Sequence, residues 1–273
     1  NRYQAQTAGA NSFDCGVPRS WSAEPLALAF GSVELGSGAA LRILAGPTNE
    51  TTAARTEVAI AGALELGADS EMVLTCHPTN GAVVRVTAKS LRVDAGAGIL
   101  SDGCGWSAET VGFGPGAAAN TGMGAGYGGA ADVNYGQTLM EKGLPYGDAA
   151  YPVLPGWGGG RGNLTTDHGS AGGGVVWLEI AGDAVVDGVI SANGQSQLGN
   201  SSGSGSGGSV LLSCRTLAGS GTLRAKGGYG QGAARAGART RGSSPTRRPK
   251  IRRSPSPWSS RTARAAAARP RRA

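Results

Sequence analysis

Carboxylates are the residues of this chain whose chemistry could act on a polysaccharide. Cleavage of such a polymer needs either paired carboxyl groups for acid and base work or a calcium site with Arg or Lys as the base. The neighbours Asp167 and His168 form a local acid/base pair, so we take them as the candidate catalytic residues. The competing interpretation is a solvated Asp-His pair in a loop, which we prefer. The other carboxylates that we consider are Asp94, Asp102, Asp148, Asp183 and Asp187.

Other catalytic and metal-binding motifs are missing from the sequence. It contains no HExxH, GxSxG or GxxxxGK[ST] pattern. Its four cysteines (Cys15, Cys76, Cys104 and Cys214) include no CxxC pair, and it has two histidines. We therefore expect no metal site and no cofactor. Four cysteines allow three disulfide pairings, and four free thiols are the alternative.

Aromatic residues and glycosylation motifs suggest contact with sugars. A glycine-rich stretch carries aromatic residues whose rings could stack on sugars, namely Tyr127, Tyr135, Tyr146, Tyr151 and Trp157. The alternative, which we prefer, is that they pack this stretch onto the rest of the fold. Asn-x-Ser/Thr motifs predict glycosylation of a secreted or cell-surface protein at Asn49, Asn163 and Asn200.

The composition restricts the elements that position these residues. Glycine makes up 49 of the 273 residues, aromatic residues are 5% and charged residues are 16%. These values argue against a helical bundle, a coiled coil or an ordinary α/β enzyme. No run of 18 apolar residues occurs, so we expect no transmembrane helix in this stretch.

Internal repeats are the clearest signal of the fold. The segment 31–36 (GSVELG) recurs 31 residues later as 62–67 (GALELG). A second pattern of short apolar runs begins at residues 83, 175 and 210. Short strands with glycine turns at a fixed period predict an all-β fold, a parallel right-handed β-solenoid or β-helix. An antiparallel sandwich is the alternative.

Composition also divides the chain. We expect an N-terminal lead-in over residues 1–25 and a solenoid over 26–230, with a long glycine-rich loop insertion at 104–174. Residues 231–273 hold 13 of the 25 basic residues and no acidic one, whereas residues 1–230 have a net charge of −6. We expect this tail to be disordered. A frameshift is the competing origin, since GGC glycine codons read in another frame give Ala and Arg; a transcript read across Gly230 and Gln231 separates the two.

The glycine-rich strings support a family resemblance. They are residues 126–129, 158–160, 172–178, 187–194 and 205–212. The chain resembles the glycine-rich, pectin-lyase-like β-solenoid segments of very large secreted or membrane-anchored proteins of plants, algae and protists. The resemblance covers about residues 98–230, and more loosely 26–97. It implies a surface or cell-wall role, and it implies no established activity or site residues.

We therefore expect a non-catalytic extracellular repeat or scaffold protein with a structural, adhesive or carbohydrate-binding role. Its expected partners are polysaccharides or other cell-surface and wall components, and we do not expect nucleic acid as a partner. The first alternative is a polysaccharide lyase or glycoside hydrolase of the β-helix class. The second is polyanion binding through the basic tail.

Overall fold

The computed structural model describes residues 2–5, 12–14, 27–46, 56–78, 80–108, 124–129, 143–160, 169–196 and 202–230. These ranges contain seventeen β-strands and no helix. Accordingly, no helix of the described ranges is long and apolar enough to cross a membrane. The predicted tail at 231–273 lies outside the described residues.

The strands form three sheets in which every neighbouring pair is parallel. Sheet A contains β1 (Arg2–Ala5), β4 (Ser32–Leu35), β7 (Ala63–Leu66), β10 (Ser90–Val93), β13 (Asp183–Val186) and β16 (Thr216–Ala218). Sheet B contains β2 (Ser12–Asp14), β5 (Ala40–Leu44), β8 (Glu71–Thr75), β11 (Gly98–Leu100), β14 (Val189–Ser191) and β17 (Thr222–Arg224). Sheet C contains β3 (Ala27–Phe30), β6 (Thr56–Ile60), β9 (Val84–Ala88), β12 (Val175–Ile180) and β15 (Ser209–Ser213).

The chain visits the sheets in the order C, A, B and then begins the next coil. Five coils start at β3, β6, β9, β12 and β15. Strands β1 and β2 precede them and pair with β4 and β5, so the solenoid reaches into the lead-in expected for residues 1–25. The parallel β-solenoid is confirmed, and the parallel pairing excludes the sandwich.

The register between coils follows the sequence repeat. Val33 pairs with Leu64, which is the 31-residue offset of the repeat in the sequence. Trp177 pairs with Arg85, so the first two copies of the second pattern are aligned as the sequence predicts. The third copy is displaced by one residue, because Val210 pairs with Val176 rather than with Val175. The insertion between β11 and β12 lengthens one coil without shifting the pairing of the strands on either side of it.

The core is a column of aliphatic side chains along the solenoid axis. Alternate residues of the strands from β4 to β14 point inward, and Leu64, Ile99 and Ile190 are fully buried. Strand β12 is buried on both faces, because Val175 and Trp177 point outward into a second apolar cluster. Partly buried Val153 packs on that cluster, so the insertion covers this part of sheet C.

The turn between sheet A and sheet B contains one residue in the left-handed backbone conformation in each of three successive coils. Its φ is 71° at Gly38, 59° at Asp69 and 84° at Gly96. The corner also contains Asp94 and Asp187, whose amides donate to the preceding coil. Asp187 Oδ1 accepts a 2.9 Å hydrogen bond from the amide of Ser220 in the next coil. These two aspartates are therefore turn residues.

Glycine-rich segments form a layer that the regular sheets do not include. We call it the glycine layer, and it comprises residues 156–160, 169–174, 192–196 and 202–208. Its segments are joined by backbone hydrogen bonds in a triangle. The amide of Gly156 donates to Gly173 O (2.7 Å), that of Gly173 to Ser206 O (2.9 Å), and that of Ser206 to Trp157 O (2.9 Å).

The same triangle recurs three residues along each segment. The amide of Gly159 donates to Ser170 O (2.8 Å), that of Ser170 to Gly203 O (3.2 Å), and that of Gly203 to Gly160 O (2.7 Å). Three residues per turn is the period of a polyproline II helix, whose amides point outward and can bond to neighbouring chains. The layer is thus ordered by contacts between backbones.

Glycine is required here for close approach. A Cβ atom on Gly172 would overlap the carbonyl oxygen of Gly156, and one on Gly205 would overlap that of Ala171. The absence of side chains lets these segments lie at hydrogen-bonding distance from one another.

Candidate functional site

The outer face of sheet C carries two parallel columns of polar and aromatic side chains. Glu57, Arg85 and Trp177 stand in register on β6, β9 and β12. Beside them, Thr87 stands in register with Glu179, and Glu179 with Ser213 on β15. Residues two apart on a strand point to the same side of a sheet, so the two columns form one surface.

Arg85 binds two carboxylates at once. Its Nη1 lies 3.1 Å from Glu57 Oε2, and its Nε donates to Glu179 Oε1 at 3.0 Å. Its Nη2 also donates to Glu179 Oε2, which makes that ion pair bidentate. Its guanidinium carbon lies 5.5 Å from the ring centre of Trp177, within cation–π distance. These contacts hold Arg85 against sheet C.

The electrostatics fix the charge of Arg85. Hydrogen bonding to Glu179, and then to Glu57, raises the pKa of the guanidinium above its usual value, although burial opposes the shift. Arg85 therefore keeps its proton and is not a base. Trp177 Nε1 donates to Glu179 Oε1 at 2.9 Å, so Glu179 is held by both residues.

Tyr151 provides an exposed ring beside these residues. It packs edge-on against Trp177, with ring centres 5.6 Å apart and an interplanar angle of 87°. Its exposed fraction is 49%. A tyrosine ring that is held by one aromatic contact and remains half exposed can accept the apolar face of a sugar.

A groove of about 560 Å³ runs beside the second column. Thr87, Glu179, Ser213 and Lys89 give it polar groups, and Ile60 and Ile180 are among its apolar lining. Lys89 forms no ion pair with any residue in the described part of the chain. Hydroxyl, carboxylate and ammonium groups on an apolar floor are suited to a polyhydroxylated ligand.

The candidate catalytic residues cannot be placed in this site. Asp167 and His168 lie outside the described residues, as do the sequon residues Asn49, Asn163 and Asn200. Of the other carboxylates, Asp183 pairs with Arg215 at 3.0 Å on the outer face of sheet A. Within the described ranges, no group of three His, Cys, Asp or Glu residues could hold a metal ion.

Three of the predicted sugar-stacking aromatics are placed in an aromatic cluster. Trp157 has 1% of its surface exposed, and its ring centre lies 5.8 Å from that of Tyr146. Tyr146 lies 4.7 Å from Tyr127, edge to face. Trp157 therefore offers no ring face to solvent. Tyr135 lies outside the described residues.

The two tyrosine hydroxyls in this cluster have partners within the protein. Tyr146 Oη donates to Pro155 O at 2.6 Å, and Tyr127 Oη is hydrogen-bonded to Ser209 Oγ. Burial raises the pKa of both phenols, and for Tyr146 the neighbouring Tyr127 adds to the rise. Both hydroxyls are therefore protonated across the physiological range.

Sequence reasoning missed the residues of the sheet C surface. Arg85, Glu179 and Lys89 were not considered as site residues, although the first two occur within the aligned repeats. Superposing residues 83–88 on 175–180 places Arg85 against Trp177 and Thr87 against Glu179, as the register does. The polar and aromatic residues at the outward positions of that alignment are the sequence signal that could have identified this surface.

Fold and site together define a β-solenoid repeat protein with a polar groove along one of its three sheets. Comparison with protein-family models, with curated proteins and with solved structures finds no match to this chain.

Proposed function

We propose that this chain is a non-catalytic extracellular scaffold protein that binds a polysaccharide along the outer face of sheet C. The observation that carries the proposal is the groove, whose lining residue Glu179 is bound by Arg85 and by Trp177. Tyr151 packs in turn on Trp177. The ligand would lie along the solenoid axis, across the strands, and contact residues of several coils.

The chemistry of the surface supports a sugar ligand. A pyranose ring has an apolar face that packs on an aromatic ring, and hydroxyl groups at its edge that form hydrogen bonds. Tyr151 supplies the ring, while Thr87 and Ser213 supply hydroxyl groups. The three sequon motifs support an extracellular location.

The state of Arg85 supports a passive role. Its guanidinium is neutralised by two carboxylates and keeps its proton, so it is unsuited to abstract one from a sugar. Glu57 and Glu179 are in turn engaged by Arg85. These ion pairs stabilise the surface and leave its hydroxyl groups and Tyr151 to the ligand.

Binding to insoluble and immobilised polysaccharides tests the proposal. Tyr151→Ala should weaken binding about tenfold, as expected for the loss of one stacked ring. Tyr229→Ala is the matched control, because Tyr229 is 63% exposed and is not among the residues of this surface. Equal effects of the two variants, or the absence of binding to every polysaccharide, would contradict the proposal.

An enzyme of the polysaccharide lyase or glycoside hydrolase class is the second candidate. The observation that favours it is the proximity of two carboxylates, Glu57 and Glu179, which both contact Arg85. Such an enzyme would release reducing or unsaturated ends from pectin- or alginate-like polymers. Loss of that release in Glu179→Gln, with retention in Glu65→Gln on sheet A, would overturn the non-catalytic assignment.

A further inference from the structure

Trp177 is a buried ring against which the exposed Tyr151 packs. Only 2% of the Trp177 surface is exposed, whereas Tyr151 is 49% exposed and lies edge-on to it. Tyr151 belongs to the insertion and to no strand, so strand pairing does not fix its position. A ligand can reach Tyr151 and not Trp177. The orientation of Trp177 therefore affects the ligand through the position of the Tyr151 ring.

Glu179 fixes the orientation of Trp177. The two residues lie two positions apart on β12, and Trp177 Nε1 donates a 2.9 Å hydrogen bond to Glu179 Oε1. Turning the indole about its side-chain bonds would break this hydrogen bond. That rotation is costly, because a donor on a buried side chain would lose its acceptor.

Arg85 holds Glu179 in turn. Its Nε donates to Glu179 Oε1 at 3.0 Å, and its Nη2 donates to Oε2, so both carboxylate oxygens are bound. The guanidinium carbon also lies 5.5 Å from the ring centre of Trp177. Arg85, Glu179 and Trp177 are thus connected pairwise, and each contact restricts the third residue.

We propose that Glu179 is a positioning residue, which holds Trp177 and through it Tyr151 in the orientation that the ligand meets. Its effect on affinity rests on the proposed polysaccharide-binding function. Glu179 lines the groove and also binds Trp177, so it connects the groove to the aromatic pair. Its carboxylate already accepts hydrogen bonds from Arg85 and Trp177, and it therefore acts through Tyr151 rather than by contact with the sugar.

A double-mutant cycle on polysaccharide affinity separates positioning from direct contact. Glu179→Ala should weaken binding about fivefold and Tyr151→Ala about tenfold. The double variant should bind as Tyr151→Ala does, because Glu179 then has no ring left to position. Additive losses, about 50-fold in the double variant, would overturn the proposal, since they indicate that Glu179 contacts the ligand itself.

A second variant tests the same contact from the other partner. Trp177→Phe removes the indole donor and leaves Glu179 in its ion pair with Arg85. It should also weaken binding about fivefold and be non-additive with Tyr151→Ala. This cycle decides the proposal if Glu179→Ala does not fold. Unchanged affinity in Trp177→Phe would overturn the proposal.

NMR of the ligand-free, full-length protein gives a measurement that is independent of the proposed function. Nuclear Overhauser effects between the rings of Trp177 and Tyr151 should be present and should disappear in Glu179→Ala. Glu179→Gln should restore them, because its amide oxygen can still accept the indole hydrogen bond. Glu65→Gln on sheet A is the matched control and should leave them unchanged.

The two measurements separate the proposal from the function on which it rests. Ring-to-ring effects that persist in Glu179→Ala would overturn the positioning role, whatever the protein binds. Their loss in Glu179→Ala, together with the absence of binding to every polysaccharide, would contradict the proposed function and leave the positioning of Tyr151 by Glu179 established.

Discussion

Arg85 Nη1 lies 3.1 Å from Glu57 Oε2, and the two residues stand in register on neighbouring coils although 28 residues separate them in the chain. Glu179, a further 94 residues along, binds the same guanidinium from the other side. One side chain therefore connects three successive strands of sheet C from outside. Sequence-distant residues become neighbours here because each coil returns the chain to the same face.

Replacing Arg85 should destabilise the solenoid. In Arg85→Met, Glu57 and Glu179 lose their shared cation, and we expect a loss of about 1 kcal/mol in the free energy of unfolding. Urea denaturation measures it, and the loss should shrink at high salt. Arg92→Met is the control, because Arg92 is 62% exposed and pairs with Asp94 alone. A control with an equal or larger loss would refute the bridging role of Arg85.

The glycine layer should not tolerate a methyl group at its contacts. In Gly172→Ala the new Cβ would overlap Gly156 O, and the backbones would have to separate. We expect a loss of about 1–3 kcal/mol, the usual cost of overpacking. Gly128→Ala is the matched control, since a Cβ at Gly128 meets no atom within 4 Å. Thermal denaturation compares the two, and equal midpoints would contradict the close-packed layer.

Stability should depend on pH through His77. Burial lowers the pKa of His77 below 6.5, and its Nδ1 accepts a hydrogen bond from the amide of Asn80 at 3.3 Å. As the pH falls below 6.5, His77 becomes protonated in the unfolded chain but stays neutral in the folded chain. The free energy of unfolding therefore falls until the pH reaches the pKa of the folded state, and then levels off.

His77→Gln isolates this contribution. The variant has no titrating ring, so the difference between the wild-type and variant unfolding free energies should change between neutral pH and about pH 5. Urea denaturation at the two pH values measures it. A difference that is independent of pH would show that His77 is protonated equally in both states.

The cysteines should differ in reactivity. Burial raises the pKa of Cys76 to about 12, from 9.0, so the reactive thiolate is about 1,000-fold scarcer. Burial also raises the pKa of Cys104, while Cys214 is only half-buried in the last coil. Iodoacetamide at mildly alkaline pH should label Cys214 first and leave Cys76 intact, as read by mass spectrometry. Equal labelling before denaturant is added would contradict the burial of Cys76.

The coil architecture could be predicted because it repeats in the sequence. Val33 and Leu64 belong to matching segments 31 residues apart, and the structure pairs them directly. The apolar period of two residues placed the inward positions, since a strand has only two faces. Conversely, β1 and β2 are short and have few apolar residues. Their sequences therefore show no apolar alternation that would identify them as strands.

The glycine layer and the side-chain contacts on sheet C could not be predicted in the same way. Glycine has no side chain and therefore no hydrophobic period, so the contact of Gly156 with Gly173 leaves no pattern in the sequence. Burial of Trp157 and exposure of Tyr151, six residues apart, depend on which segment covers each ring. The sharing of Arg85 by two carboxylates depends on tertiary register across the insertion.

The direction of the hydrogen bonds between coils governs how the protein would respond to force. These bonds lie along the solenoid axis, so a pull on the two ends loads one coil boundary at a time. Each coil without the insertion would release about 31 residues as it peels away, or roughly 100 Å of extended chain. The glycine layer ties the insertion to the last two coils, so the coils before it yield first. A tether built this way lengthens in steps of one coil and keeps its remaining coils folded under load.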